Sequence, residues 1–180
     1  MTFTRMDEST QAHWQDIFVE TMEAQPEVAD HVLAMLRSLG DVTLAFAVDQ
    51  LTHCLQTATR AEQAGADAEL VVASLCHDVG KAVSVPNHPR IAAEILRSYV
   101  RDDVYHVIRT HQDFQGRHYY GYLDMDADLR RNYVDEPWYD LAVTFADDWD
   151  QTSFDPDYPT KPLEHFEPLL RQVFAQPHSL

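Results

Sequence analysis

Alternation of β-branched and polar residues is almost absent from this chain, and apolar residues recur at helical spacing. That pattern describes helix stripes and not strand faces, so the expected fold class is all-α. A first helix is expected from Ser9 to Ala24, with Trp14, Ile17, Phe18, Thr21 and Met22 on one face. A second should run from about Pro26 to Leu39, with Pro26 tolerated in its first turn and Gly40 ending it. A long third helix is read from Thr43 to Ala64, with Ala47, Val48, Leu51, Leu55 and Ala58 as its stripe and Gly65 as its stop. Asp67 should cap a helix from Ala68 to His77. After a loop over Val79 to Asn87, shorter helices are expected at His88 to Arg97, Asp102 to His111, Asp126 to Tyr133, Pro137 to Asp150 and Leu163 to Phe174. Gln115 to Asp124 is aromatic and takes no clear assignment, and Asp155 to Pro159 reads as an extended connection. With no repeat or linker, the 180 residues suit one domain, residues 1–40 forming N-terminal helices and residues 43–174 the core.

Charge narrows the partners. The formal net charge is -17, with 30 Asp and Glu against 13 Lys and Arg. Such a surface should repel nucleic-acid phosphates and anionic lipid, so neither nucleic acid nor membrane is expected as a partner. No run of apolar residues is long enough to span a bilayer and no secretory signal opens the chain, which leads us to expect a cytoplasmic protein, monomeric or homodimeric. Cys54 and Cys76 sit in apolar helical stretches and read as core thiols rather than a disulfide.

Ten histidines is a large number for this length, and His13, His31, His165 and His178 lack any motif context. Four of the other six fall in an ordered series with two aspartates: His53, His77-Asp78, His88, His111 and Asp150. An adjacent His-Asp pair can direct both side chains at one metal, and a carboxylate has two oxygens with which to bridge two ions. Imidazole and carboxylate together suit iron, manganese or zinc. Donors placed at helix ends and on facing helices can meet inside a helical bundle. His106 competes with His111, but the two lie five residues, about 500°, apart around a helix and do not share a face. Asp147 and Asp148 compete with Asp150 and can instead form a solvated acidic face.

The series resembles the HD-domain superfamily of metalloproteins. Leu51-Thr52-His53-Cys54-Leu55-Gln56-Thr57-Ala58, then Ala61 to Asp67, then a His-Asp pair 24 residues after His53, is similar to its mixed-valent diiron oxygenases. These include the organophosphonate oxygenase acting on 2-amino-1-hydroxyethylphosphonate and, more distantly, myo-inositol oxygenase. The resemblance resumes at Trp149-Asp150 and at Pro162 to Phe166, and the Trp-Asp pair favours Asp150 over its neighbours. It implies a compact all-α HD bundle with a dinuclear metal site inside. By resemblance, His53, His77, Asp78 and Asp150 hold one iron, Asp78 bridges, and His88 and His111 hold the second. The implied cofactor is an Fe(II)/Fe(III) pair, and the implied reaction uses O2 to cleave a C–P or C–C type bond in a small polar substrate.

Departures from that pattern bear on the substrate. Thr43 and Phe46 stand where the phosphonate enzyme has a gating Tyr and Glu, Gln115 replaces a phosphonate-binding Lys, and Asp147 replaces an Arg. Lys81, with Asp78 a candidate catalytic residue, is the one cation left at a substrate-contacting position; Gln115 and His118 are the other candidate substrate contacts. A substrate less anionic than a phosphonate is expected, with His118, Tyr119, Tyr120 and Tyr122 as a possible aromatic wall. The alternative is an HD phosphohydrolase acting on a nucleotide or phosphomonoester with Mn, Zn, Mg or Ni, which the Lys of His-Asp-x-x-Lys favours. A non-enzymatic metal-binding or ligand-sensing domain is a third possibility.

Overall fold

Two aspartates start the helices that carry the first half of the site. Asp49 accepts from the Thr52 amide and opens α3, Gln50–Gln63, and Asp67 accepts from the Leu70 amide and opens α4, Ala68–Cys76. Each side chain satisfies an amide that the first helical turn leaves without a partner. Gly65 ends α3 with φ +79, a left-handed conformation that costs glycine little.

The computed structural model describes residues 3–24 and 27–178. Among them, helices α1 (Gln11–Ala24) and α2 (Glu27–Ser38) precede α3 and α4, and α5 (His88–Leu96), α6 (Asp102–Gln115), α7 (Tyr139–Thr144) and α8 (Leu163–Phe174) follow. The fold is all-α. The pairs α3/α4 and α5/α6 pack side by side, α7 and the turn after it lie across α6 and α3, α8 lies against α4, and α2 packs on α8. Between them lies a core that includes Leu33, Leu36, Leu75, Ile108, Phe114 and Phe166, all fully buried. α4 is apolar all round because other elements enclose it, and its seven buried residues run from Leu70 to Cys76. No helix among the described residues is long and apolar enough to cross a membrane.

Several boundaries differ from expectation. The third helix starts at Gln50 and not Thr43: Asp49 provides a cap, and Leu44 and Ala45 take left-handed φ values of 48° and 63° that interrupt any helix. Strain of this kind in non-glycine residues is costly and collects near functional sites. The apolar face expected on α1 is not part of the core; Trp14 and Phe18 are exposed and the helix has no buried residue. The expected start of α2 at Pro26 lies outside the described residues. α6 runs one turn beyond His111 to Gln115, and Leu129–Tyr133 is a 3-10 segment and not an α-helix. After α7, Phe145–Asp150 winds as a π-helix, a wide turn found mostly at functional sites.

Candidate metal centre

Four imidazoles point the same atom inward. The Nδ1 atoms of His77, His88 and His111 each meet the carbonyl three residues earlier, of Ser74 at 2.8 Å, Val85 at 2.7 Å and Ile108 at 2.7 Å. His53, in mid-helix, reaches across the chain to Ser153 O at 2.9 Å. A carbonyl only accepts, so each Nδ1 carries the hydrogen, and in a neutral ring the Nε2 lone pair then faces the interior. Orientation by a carbonyl behind the ring is the usual arrangement of a metal-binding histidine.

The inward atoms form two groups. In the first, His53 Nε2 lies 3.0 Å from His77 Nε2 and 3.2 Å from Asp150 Oδ1. In the second, His88 Nε2 lies 3.2 Å from His111 Nε2 and 2.9 Å from Asp78 Oδ1. Asp78 joins them: Oδ1 faces His88 and His111, while Oδ2 lies 3.3 Å from His53 Nε2 and 3.5 Å from His77 Nε2. All six residues are buried. Two donors bound at about 2.0–2.1 Å from one ion and at right angles lie about 3 Å apart, which these spacings match.

Two orphaned atoms test the fit. Asp78 Oδ1 and Asp150 Oδ2 are buried carboxylate oxygens with no hydrogen-bond partner. Burial without a partner is expensive for a charged oxygen. His111 is held below the ordinary imidazole pKa, first by burial and then by its neighbours His77 and His88, so protonation does not relieve the second group. There, His88 Nε2, His111 Nε2 and Asp78 Oδ1 converge, and a cation would satisfy all three. The first group differs. Burial opposes charge on His53, but Asp150 and Asp78 outweigh it and raise the pKa to about 9. A proton on His53 therefore competes with an ion for that group.

Several side chains steady the donors. Burial would raise Asp78, yet His77 and Lys81 outweigh it and hold the carboxyl well below the usual range. Lys81 Nζ sits 2.5 Å from Asp78 Oδ2 and 2.6 Å from Gln50 Oε1. Gln115 Nε2 donates to Asp150 Oδ1 at 2.8 Å. Phe154 stacks on the His53 ring with centroids 4.2 Å apart. Gly80 lets the start of α5 approach: a Cβ there would stand 2.3 Å from the His88 carbonyl oxygen. Gly80→Ala must push away the backbone that carries His88. Urea unfolding should show a loss of about 1–3 kcal/mol; a variant as stable as the parent would contradict that close approach.

A cavity of about 380 Å³ opens beside the centre. His88 and Lys81 border it, as do Gln115 and His118, and Leu44, Phe46, Tyr119 and Phe154 give it an apolar wall. The aromatic wall read from residues 118–122 is therefore only partly real: Tyr120 is buried away under Gly116 and Tyr122 is 90% exposed. The competing residues lie elsewhere. Asp147 binds Arg130 and His118, each at 3.0 Å, Asp148 is exposed, and His106 stacks on Trp138. Both cysteines are buried, unpaired and pushed up in pKa by burial, Cys76 to about 12, so neither thiol behaves as a ready ligand. Sequence reasoning missed Gln50, Phe154 and Ser153, whose roles depend on contacts between distant segments.

A family model described as HD domain matches residues 51–155. The chain belongs to the HD-domain family. The matched span contains every candidate donor of the centre, from His53 to Asp150. Comparison of this HD-domain protein with curated proteins gives no match. HD domains bind divalent metals and are typically metal-dependent enzymes, and the buried His and Asp groups here have the chemistry to hold metal.

Proposed function

We propose that this HD-domain protein is a non-haem diiron oxygenase that cleaves a C–P or C–C type bond in a small polar substrate. In this reading His53, His77, Asp78 and Asp150 hold one iron, and Asp78, His88 and His111 hold the other. The observation that carries it is the division of six buried donors into two groups sharing Asp78. Each group offers two imidazoles and a carboxylate and no thiolate, a donor set associated with non-haem Fe(II) oxygenases. Bound iron would supply O2 activation and Lewis acidity.

The chain's own residues supply the rest. Lys81 spends two of its three donors on Asp78 and Gln50, leaving one for a substrate oxygen. Gln115 fixes Asp150 and keeps its carbonyl oxygen for substrate, and His118, held by Asp147, borders the same cavity. The apolar wall excludes water from the reacting end. Lys81 is the one Lys or Arg bordering this cavity and is already committed to Asp78, so the preferred substrate carries little negative charge. Oxygen uptake by iron-loaded protein over a panel of small hydroxylated phosphonates, polyols and betaines tests the proposal. Turnover of neutral or cationic members is expected, and failure with every member would count against it.

Phosphohydrolysis is the second reading. Its specific support is Lys81 against the bridging carboxylate, where a cation can also meet a phosphate oxygen. Metal-dependent phosphate release from a nucleotide panel, without O2 uptake, would favour it.

A further inference from the structure

Thirteen Lys and Arg residues face thirty Asp and Glu in this chain, so a cation without a partner is unexpected. Eleven of the thirteen have one. Arg5, Arg37, Lys81, Arg97, Arg101, Arg117, Arg130, Arg131, Lys161 and Arg171 lie against carboxylates. Arg60 bonds the Thr152 carbonyl and covers the Tyr158 ring. The two remaining are Arg90 on α5 and Arg109 on α6, and both border one polar cleft of about 270 Å³.

We infer that this cleft is a binding site for a small oxyanion, a phosphate or phosphomonoester, clamped between the Arg90 and Arg109 guanidiniums. The cleft is concave, and the exposed Asn87 stands at its edge. Its one carboxylate, Asp113, accepts from the Tyr133 hydroxyl at 2.7 Å and pairs with neither arginine. Burial and Asp113 push the Tyr133 hydroxyl up to about 12, while Arg109 and Arg90 oppose them, so both guanidiniums act on the same point. Two guanidiniums that border one hollow and both act on Tyr133 can together meet the oxygens of a tetrahedral oxyanion. The cleft is separate from the cavity beside the metal centre, and of its lining only Gln112 borders both. It lies where α5 and α6 carry residues next to His88 and His111, and its proposed role does not depend on the chemistry at that centre.

Calorimetric titration of metal-loaded protein with inorganic phosphate and with ribose 5-phosphate, at fixed ionic strength, tests the assignment. Binding of at least one is expected, and preference for ribose 5-phosphate would identify an organic phosphate as the occupant. Arg90→Gln/Arg109→Gln should weaken that binding at least tenfold, with unchanged metal content and melting temperature. His88→Ala, which alters the metal centre, should leave it within a factor of two. No binding of either probe would overturn the inference. So would full binding in the double arginine variant with loss in His88→Ala, which would place the phosphate on the metals.

Discussion

Asp78→Ala is expected to abolish activity and reduce bound metal to less than one ion per chain. Among the described residues, Asp78 alone offers an oxygen to each group of donors, Oδ1 toward His88 and His111 and Oδ2 toward His53 and His77. Its removal strips a ligand from both ions and leaves Lys81 with only Gln50. An effect of about a thousandfold or more on turnover is expected for loss of a group on which both metals depend. His88→Ala should act on one side, sparing the ion among His53, His77 and Asp150. Metal analysis of the two purified variants separates these outcomes; two ions retained in Asp78→Ala would remove the bridging role.

Chelation should destabilise the protein by about 4 kcal/mol for each ion held at a thousand times its Kd, or about 8 kcal/mol for two, which lowers the melting temperature by roughly 20 °C for a chain of this size. The dependence of this loss on pH follows from His53. Its pKa is raised to about 9 by Asp150 and Asp78 against the opposing effect of burial. In protein stripped of ions, that imidazolium contributes stability that is fully present below the unfolded value of about 6.5 and lost as pH rises toward 9. Bound metal replaces the proton and is favoured as pH rises. The difference in melting temperature between metal-loaded and chelated protein should therefore widen from pH 6.5 to 9. At the acid end, Asp78 and Asp150 are both held low by their neighbours, so their contribution is present above about pH 4 and fades as pH falls below it. A difference that narrows between pH 6.5 and 9 would contradict the exchange of a proton for an ion at His53.

Local chemistry was legible in the sequence where a few adjacent residues decide the structure. Asp67 caps α4, Gly65 ends α3, and Leu163–Phe174 is a helix over the expected span. The His-Asp pair closes α4, and His53 stands in mid-helix across from it. Errors arose where local signals compete. Apolar periodicity extends back to Thr43, but the Asp49 cap and the left-handed Leu44 and Ala45 override it. That break is consequential, because it carries Leu44 and Phe46 to the cavity instead of along a helix. The stripe on α1 is amphipathic in sequence yet has no partner surface within the described residues.

What sequence hides most completely is contact between distant segments. Spacing puts His106 and His111 on different faces of α6 without saying which face turns inward, and the helix continues past both to Gln115. His111 turns inward to Asp78, while His106 turns to Trp138. Ser153 orients His53 from a hundred residues away, after a π-helical turn that no spacing rule announces. The isolation of Arg90 and Arg109 emerges only once the other cations are matched with their partners.

Metal content and EPR of protein expressed in iron-supplemented medium, before and after partial reduction with ascorbate, test the central claim most directly. The account predicts close to two irons per chain and, after reduction, the signal of a spin-coupled Fe(II)/Fe(III) pair. A single ion per chain, or a redox-silent metal with no such signal, would contradict it.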